Sequence, residues 1–370
     1  MKMPMAEGYF AGLMSGTSLD SIDCAIIHID SKQTKLVATN SMAWPEDLKN
    51  RLKHLAESSD SLDEMLILDQ LSADYFAKAV IECIDKAGLS TRDILAIGSH
   101  GQTVRHSPDT KPAYTLQIGH PARIAERTGI TTVGDFRSRD IAANGQGAPF
   151  APAFHDMLFN QDGKKRAVIN IGGIANITAF TKNKIVGYDT GPGNRLLDDW
   201  MQYSQNKAFD ANGDFAASGE TNEALLSLLL ADTYFKKPAP KSTGSDYFNL
   251  DWLHNKMEHH DAIPAEDIQA TLSSLTARSI SAEISKLDEH FHEILICGGG
   301  AHNQHLINDI QKALPSMPVY STDAHGISPD WIEAMAFAWL AFRTLNNLPG
   351  NLPDVTGADG FRICGAIYPA

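Results

Sequence analysis

The sequence contains the same order of predicted elements twice, and this repeat constrains the fold more than any other feature. Each half contains three strands, a helix, a strand, a helix, a further strand and a final helix. Periodic or buried apolar runs predict the strands. They lie at 9–13, 22–29, 36–41, 94–97 and 130–133 in the first half, and at 167–171, 175–180, 185–187, 294–297 and 319–320 in the second.

A long helix separates the third and fourth strands of the first half. Ser61 and Glu64 have the spacing of a capping box, which predicts where this helix begins, and Gly88 predicts where it ends. The second half differs mainly by an insertion at roughly 205–265, which is polar and interrupted by proline and glycine. The sequence alone gives this insertion no firm role.

The repeat predicts an α/β protein that arose by duplication, with one domain over residues 1–150 and another over residues 151–370. Each domain would be a mixed sheet with flanking helices. Ligands of such sheets bind where loops leave the strand ends, so we expect a ligand site in a central cleft. Two unrelated α/β domains are the alternative interpretation of the same pattern.

The charge balance narrows the classes of partner. The 370 residues include 31 Lys and Arg against 45 Asp and Glu, which gives a formal net charge of −14. A protein that binds nucleic acid or an anionic membrane would need a basic surface, so neither partner is expected. A small molecule carrying phosphate is compatible with this charge, because helix and loop amides bind phosphate without net positive charge.

The spacing of the cysteines and the lengths of the apolar runs indicate the cellular compartment in which the protein is expected. The four cysteines form no C-x-x-C pair, which argues against a disulfide framework and a zinc ribbon. The N-terminal residues lack the apolar core of a signal peptide, and no stretch reaches the roughly 18 apolar residues of a membrane span. We therefore expect a soluble, reduced, cytoplasmic protein. The cysteines are Cys24, Cys83, Cys297 and Cys364.

Two glycine-containing turns occupy equivalent places in the two halves. The segment 12–23 places small residues between two predicted strands, and the segment 170–176 does the same in the second half. Small residues let backbone N–H groups approach an oxyanion. Two such turns could hold a polyphosphate from both sides, although each could also be a plain hairpin.

A carboxylate and a triple glycine follow strands of the second half. Asp189 begins the run Asp-Thr-Gly-Pro-Gly-Asn, so it is a candidate general base at a strand end or, alternatively, an N-cap of the next helix. Gly298, Gly299 and Gly300 follow an apolar strand and leave room for a flat ring system against the backbone. A simple strand-to-helix turn is the alternative for these glycines.

Polar residues after strands of the first half are candidates for binding a substrate. His100 and Gln102 could bond sugar hydroxyls, and Arg137 could pair with a carboxylate. The Arg and Asp residues around Arg137 could instead form a local ion-pair network. Glu333 opens an apolar helix, where it would either stabilise the helix dipole or contact a substrate.

Together these segments resemble the anhydro-N-acetylmuramic acid kinases. The resemblance spans nearly the whole chain and rests on the segments 12–23, 98–104, 134–140, 169–177 and 189–194 and on the triple glycine. It implies the fold of the sugar kinase, actin and heat-shock chaperone superfamily, in which duplicated actin-like (ribonuclease H-like) domains close around ATP. One departure is Ser21, where the family usually has glycine.

The resemblance also implies a reaction. ATP-dependent conversion of 1,6-anhydro-N-acetylmuramic acid would yield N-acetylmuramic acid 6-phosphate during the recycling of cell-wall peptidoglycan. Water would attack the anomeric carbon, and the released oxygen at carbon six would take the γ-phosphoryl group. Asp189 would be the base that deprotonates the water.

ATP and Mg²⁺ are the cofactors that the resemblance implies. Mg²⁺ would bridge the β- and γ-phosphates, with Asp20 or Asp23 holding it through water. The glycines at 298–300 would border the adenosine, and Arg137 and Glu333 would contact the sugar. The residues assigned to the ATP phosphates are Gly16, Thr17, Ser18, Leu19, Asp20, Ser21, Ile22 and Asp23, together with Gly172 and Gly173 in the second half.

Two other functions are compatible with the same sequence. A kinase of this superfamily could act on a hexose or a carboxylic acid, in which case Asp189 would deprotonate the acceptor hydroxyl directly. An ATP-binding switch protein would hydrolyse ATP slowly and independently of any sugar. The substrate is expected to be a small molecule in the first case, and a homodimer is compatible with either.

Overall fold

The computed structural model describes residues 5–31, 33–57, 61–160, 163–244, 246–258 and 263–370. The strands are β1 Gly8–Ser15, β2 Ser21–Ile29, β3 Thr34–Ala43, β4 Ile94–Ser107, β5 Tyr114–Ile118, β6 Thr132–Gly134, β7 Arg166–Ile171, β8 Ile174–Phe180, β9 Ile185–Pro192, β10 Glu293–Cys297, β11 Val319–Ser321 and β12 Ala366–Tyr368. The helices are α1 Glu46–Glu57, α2 Leu62–Ala87, α3 Pro121–Thr128, α4 Ser138–Ile141, α5 Ala151–Phe159, α6 Arg195–Gln205, α7 Asp214–Ser218, α8 Glu223–Leu230, α9 Thr233–Lys236, α10 Leu250–Met257, α11 Ala265–Lys286, α12 Gln304–Ala313, α13 Ile332–Leu345 and α14 Pro353–Thr356.

The chain forms two compact units, each with its own sheet. In the first unit the strand order is β12-β6-β4-β1-β2-β3, with β5 also paired to β4, and in the second it is β11-β10-β7-β8-β9. Both sheets contain an antiparallel meander of three strands whose first strand pairs in parallel with the fourth. This shared order confirms the predicted duplicated actin-like (ribonuclease H-like) α/β fold.

The C-terminal residues belong to the first unit, so the predicted second domain of residues 151–370 is wrong in its extent. The first unit ends at Phe154 and is joined by Trp331–Ala370, whereas His155–Asp330 form the second unit. Helix α13 lies directly on β1 and β4 because two glycines leave space for it. A Cβ at Gly12 would lie 1.9 Å from the Ala334 carbonyl oxygen, and one at Gly98 would lie 1.9 Å from that of Phe337.

Helix α2 covers the other part of the first sheet and matches its prediction. The Ser61 hydroxyl accepts from the Glu64 amide at the start, and Gly88 ends the helix in the left-handed conformation with φ +67°. Its buried face packs on the sheet as one hydrophobic core. The buried residues include Leu68, Ala73, Phe76, Val80 and Cys83.

The segment 98–103 was expected to follow the end of a strand, but it lies inside β4. This strand runs on to Ser107 because β1 pairs with one edge of the segment and β5 with the other, as in the pairs Ser15–Gln102 and Gln102–Ile118. The apolar run at 94–97 is only its N-terminal part. His100 and Gln102 are therefore buried polar residues of a strand.

The insertion is folded and helical. Helices α7 to α10 lie within it, and apolar side chains of α8, α9 and α10 form a hydrophobic core with α6 and α11. Leu225, Leu229, Phe248 and Leu253 are fully buried there. No helix in the described part of the chain has the length and apolar character needed to cross a membrane.

Candidate functional site

The predicted site residues fall into two groups, one in each unit. The first-unit cluster consists of residues 16–23, His100, Gln102, Arg137 and Glu333. The second-unit cluster consists of Gly172, Gly173, Asp189 and residues 298–300.

The turn between β1 and β2 is a hairpin in which one non-glycine residue has a left-handed backbone conformation. Leu19 has φ +56°, and its amide donates to the Gly16 carbonyl oxygen at 3.2 Å. Leu19 and Ile22 are buried in the first-unit core, so only their main chain is available to a ligand. Thr17 and Ser18 are exposed and leave the predicted phosphate contacts open to them.

The turn is fixed to its surroundings by side-chain hydrogen bonds. The Trp44 indole donates to the Ser15 hydroxyl at 3.0 Å, and that hydroxyl donates to the Ser21 carbonyl oxygen at 3.1 Å. The Gln102 amide donates to the Gly16 carbonyl oxygen at 3.2 Å. The hairpin therefore presents its backbone in a defined position next to β4.

A hydrogen-bonded chain orients Arg137. His100 Nδ1 lies 2.8 Å from the Gly101 carbonyl oxygen, so this nitrogen carries the proton and Nε2 can accept from Arg137 Nη2, also at 2.8 Å. Burial, together with the nearby Arg137 charge, lowers the pKa of His100 to about 3. Burial also lowers the pKa of Arg137 to about 10, so at neutral pH a cation faces a neutral imidazole.

Three buried polar atoms of the first-unit cluster and its neighbour Ser99 have no hydrogen-bond partner among the described residues. They are Ser99 Oγ, Gln102 Oε1 and Arg137 Nε. An unpaired buried polar atom costs about 1–3 kcal/mol. Their combination of a hydroxyl, an acceptor and a cationic donor suits a polar ligand that carries hydroxyl, amide and carboxylate groups.

Glu333 lies in the first turn of α13 and is exposed to solvent. The protein around it nevertheless displaces part of its water, which raises its pKa. The Asp23 charge raises this pKa further, and the Arg137 charge opposes the shift. A carboxylate and a cation of the first-unit cluster thus both act on the Glu333 carboxyl group.

Gly172 and Gly173 of the second-unit cluster pack against the residues that follow β9. The Gly172 and Gly173 carbonyl oxygens accept from the amides of Asn194 and Gly193 at 2.8 and 2.9 Å. A Cβ at Gly193 would lie 2.3 Å from the Gly172 carbonyl oxygen. The turn between β7 and β8 is therefore joined to the end of β9.

The triple glycine has a packing reason for two of its three residues. A Cβ at Gly298 would lie 2.4 Å from Asn170 Oδ1, and one at Gly300 would lie 2.4 Å from Ile171 Cγ2. Gly299 is exposed. Close approach to β7 thus explains Gly298 and Gly300 without a ligand, while Gly299 leaves open backbone surface.

Asp189 lies beside a β-bulge in the edge strand β9. Ala175 pairs with Gly191 and Asn176 with Asp189, so Thr190 is the extra residue. Bulges of this kind change the direction of a side chain and are frequent at active sites. The helix that follows has Asn194 at its N-cap position, so the N-cap alternative for Asp189 is wrong.

The Asp189 carboxylate is half-buried and bonded through one oxygen. Oδ2 accepts from the Thr243 amide at 3.0 Å and from the Ser242 hydroxyl at 3.1 Å. Burial raises the pKa of Asp189, and these two donors partly oppose the shift. A carboxylate with a raised pKa is a stronger base than a free aspartate.

Sequence reasoning missed the residues that contact Asp189. Ser242 and Thr243 belong to the insertion, and so does Tyr234, whose hydroxyl donates to the Asp189 carbonyl oxygen at 2.7 Å. The only signal was the Lys-Ser-Thr-Gly run at 241–244, a polar and small-residue segment of the kind found at sites. Nothing in the spacing connects it to position 189.

Comparison with known proteins gives a consistent family. The family model described as anhydro-N-acetylmuramic acid kinase matches residues 8–370. An anhydro-N-acetylmuramic acid kinase from Photobacterium profundum is 47% identical over 375 residues, covering 99% of this chain and 100% of that protein. Those from Shewanella amazonensis and Coxiella burnetii are each 46% identical, covering 99% and 98% of this chain and 100% and 98% of those proteins.

Proposed function

The chain belongs to the anhydro-N-acetylmuramic acid kinase family, and from that premise we propose that Asp189 is the base of its reaction. The protein is an ATP-dependent phosphotransferase that acts on a small molecule with an alcohol group as acceptor. It opens 1,6-anhydro-N-acetylmuramic acid hydrolytically and phosphorylates it at O6, a step in peptidoglycan recycling.

The half-buried carboxylate of Asp189 is the observation that carries the proposal. It takes a proton from water as the water oxygen bonds to the anomeric carbon. The bond between that carbon and O6 breaks, and O6 bonds to the γ-phosphorus while ADP leaves. The raised pKa of Asp189 supports this role because it makes the carboxylate a better proton acceptor.

The first-unit cluster supplies the groups proposed to bind the sugar. Arg137 would pair with the lactyl carboxylate, since its guanidinium is charged and is held by the neutral His100 ring. The unpartnered Gln102 Oε1 is an acceptor for a sugar hydroxyl or amide. Glu333 is exposed next to the charges of Asp23 and Arg137, which supports a contact with the sugar.

The backbone of residues 16–23 is proposed to hold the phosphates of ATP, with Gly172 and Gly173 in the second unit. The exposed Thr17 and Ser18 hydroxyls would add donors. Gly299 is the residue of the triple glycine with exposed backbone, so it is the best candidate to border the adenosine. Close packing accounts for Gly298 and Gly300, and they would contribute by shaping this turn.

Mg²⁺ is proposed to accompany ATP. The described residues contain no group of three or more His, Cys, Asp or Glu placed to hold a metal ion. Mg²⁺ usually keeps several waters and binds one or two carboxylates plus substrate phosphates, so Asp20 or Asp23, acting through water, fits this donor set. Bound there, the ion would neutralise charge on the β- and γ-phosphates.

A cytoplasmic location is proposed because the reaction consumes ATP. The absence of a membrane-spanning helix in the described residues is compatible with that location but does not establish it. Cell fractionation with an antibody against the chain would test it, and recovery outside the cytoplasmic fraction would contradict it.

A coupled assay of ADP release tests the function directly. We expect release to depend on the anhydro sugar and to be low with ATP alone. In ¹⁸O-labelled water, the label should enter the sugar at its anomeric oxygen and be missing from the new phosphate. Label in the phosphate, or ADP release that ignores the sugar, would contradict the reaction.

A further inference from the structure

The insertion bonds both main-chain polar groups of Asp189. Asp189 lies on the edge strand β9, and its main-chain amide and carbonyl both bond residues of the insertion. The amide donates to the Lys241 carbonyl oxygen at 3.0 Å, and the carbonyl accepts from the Tyr234 hydroxyl at 2.7 Å. The edge of the sheet is thereby closed at this residue by the insertion.

The same short segment holds the carboxylate by one oxygen only. The Ser242 hydroxyl and the Thr243 amide both donate to Oδ2. Within the described ranges, Oδ1 of Asp189 accepts no hydrogen bond. The arrangement therefore distinguishes the two oxygens, since one is fixed and the other is left to bond a water molecule.

A buried ion pair anchors this segment. Lys241 Nζ lies 2.8 Å from Glu283 Oε1 of helix α11, and the two side chains are 2% and 3% exposed. The ammonium group also lies 4.6 Å from the centre of the Tyr234 ring. Since Lys241 is fixed from its main chain to its ammonium group, the next two residues have little freedom to move.

We propose that residues 241–243 are a positioning segment, in which Ser242 and Thr243 fix Oδ2 of Asp189 so that Oδ1 accepts the proton of the attacking water. This inference rests on the proposed role of Asp189 as base. Neither Ser242 nor Thr243 has to touch the sugar or ATP for this role. They act through Asp189.

The segment also affects the pH range over which the Asp189 carboxylate is deprotonated and able to act as a base. Loss of the Ser242 hydroxyl removes a donor that stabilises the charged carboxylate, so the pKa of Asp189 should rise further. The other titratable groups around it are Tyr188 beside it, Tyr234 of α9, and the Lys241–Glu283 pair. Burial raises the pKa of both tyrosines, so they do not titrate on the acid side.

The test compares Ser242→Ala with Ser242→Thr in the full-length enzyme. Ser242 is exposed, so neither variant should disturb the fold. For Ser242→Ala we expect the acid limb of kcat/KM to move to higher pH by up to about one unit, which is up to about tenfold lower activity on that limb. Ser242→Thr keeps a hydroxyl and should restore the wild-type profile.

Two further variants separate this inference from the proposed function. Ser218→Ala removes another exposed hydroxyl of the insertion, one that bonds the Phe215 carbonyl oxygen, and should leave the pH profile unchanged. Asp189→Asn should lower kcat by about 10²–10⁴. If Asp189→Asn shows this loss and the Ser242→Ala profile superimposes on that of the wild type, the positioning role is wrong and the role of Asp189 as base stands.

Turnover by Asp189→Asn at the wild-type rate would overturn both the base and the positioning segment. An upward shift of the acid limb in Ser242→Ala that Ser242→Thr reverses, with ATP affinity unchanged in both variants, supports the segment. A merely structural role would lower the amount of folded enzyme without moving the limb, so that result would count against it.

Discussion

Both units contain an equivalent pair of strands, the second and third of the sheet, and each pair holds a carboxylate in different surroundings. Counted from the glycine turn, the third residue pair between the second and third strands is Asp23 with Ser41 in the first unit, and Asn176 with Asp189 in the second. Asp23 accepts hydrogen bonds from Ser21 and Ser41 at 2.8 and 2.7 Å, both donors lying in its own sheet. Asp189 is bonded by residues from outside its sheet.

This difference shows how the two halves of a duplicated fold place a carboxylate in two different environments. Both units bring a carboxylate close to a glycine turn. In the first unit the carboxylate is tied to neighbouring strands, which suits a fixed negative charge near phosphates and a metal ion. In the second unit a bulge at Thr190 and the segment 241–243 redirect the carboxylate, which suits a base.

The largest expected effect comes from removing the second-unit carboxylate. Asp189→Asn keeps the shape of the side chain but cannot accept a proton, so kcat should fall by about 10²–10⁴. Nucleotide binding, measured by calorimetry, should be retained. If the variant keeps the wild-type kcat in the ADP-release assay, Asp189 is not the base, and the two strand pairs do not differ in function in the way described.

The second effect tests the buried ion pair that anchors the segment 241–243. Lys241→Met removes the buried ammonium group that pairs with Glu283, so stability should fall by about 3–5 kcal/mol in urea unfolding. The double variant Lys241→Met/Glu283→Leu should recover much of this loss, because a matched apolar pair replaces the ion pair. Equal stability of Lys241→Met and wild type would show that the anchor contributes nothing.

The third effect concerns how each unit uses glycine. Gly98→Ala would place its Cβ 1.9 Å from the Phe337 carbonyl oxygen, forcing α13 away from the first sheet and costing about 1–3 kcal/mol. Gly172→Ala in the second unit meets no atom closer than 3.8 Å and is the matched control for stability. Thermal unfolding of the two variants should differ clearly, and identical melting temperatures would contradict the packing role of Gly98.

The smallest effect is expected for the hydroxyl that faces Asp23. Ser41→Ala removes one of its two donors on an exposed strand position, so stability should change by less than about 1 kcal/mol. The acid limb of kcat/KM should stay in place, in contrast to Ser242→Ala. A shift of the limb in Ser41→Ala would mean that the first-unit carboxylate also takes part in the titration.

The repeat of apolar runs predicted a duplicated α/β protein with mixed sheets, and the family resemblance added the actin-like fold. The capping residues of α2 gave both of its ends. The extent of the domains was less accessible, since α13 joins the first unit through contacts at Gly12 and Gly98 that lie more than two hundred residues away in the chain. Such close approaches have no signature near the helix itself.

The candidate site was predicted in part. Residue type and place after a strand were enough to single out Asp189, Arg137 and the glycine turns. The same reasoning treated Leu19 and Ile22 as phosphate contacts, although both side chains are buried. Turn residues alternate between core and surface, and the sequence of a short turn does not reveal which residues face inward.

The sequence by itself determined the duplicated scaffold, the family and the residue types that chemistry needs, because these depend on local periodicity and on motifs. The tertiary structure decided which donors meet Asp189, which carbonyl oxygens fill the space beside the glycines, and which unit the C-terminal helix joins. These are contacts between distant parts of the chain. Their free energies depend on burial and distance, which no local pattern encodes.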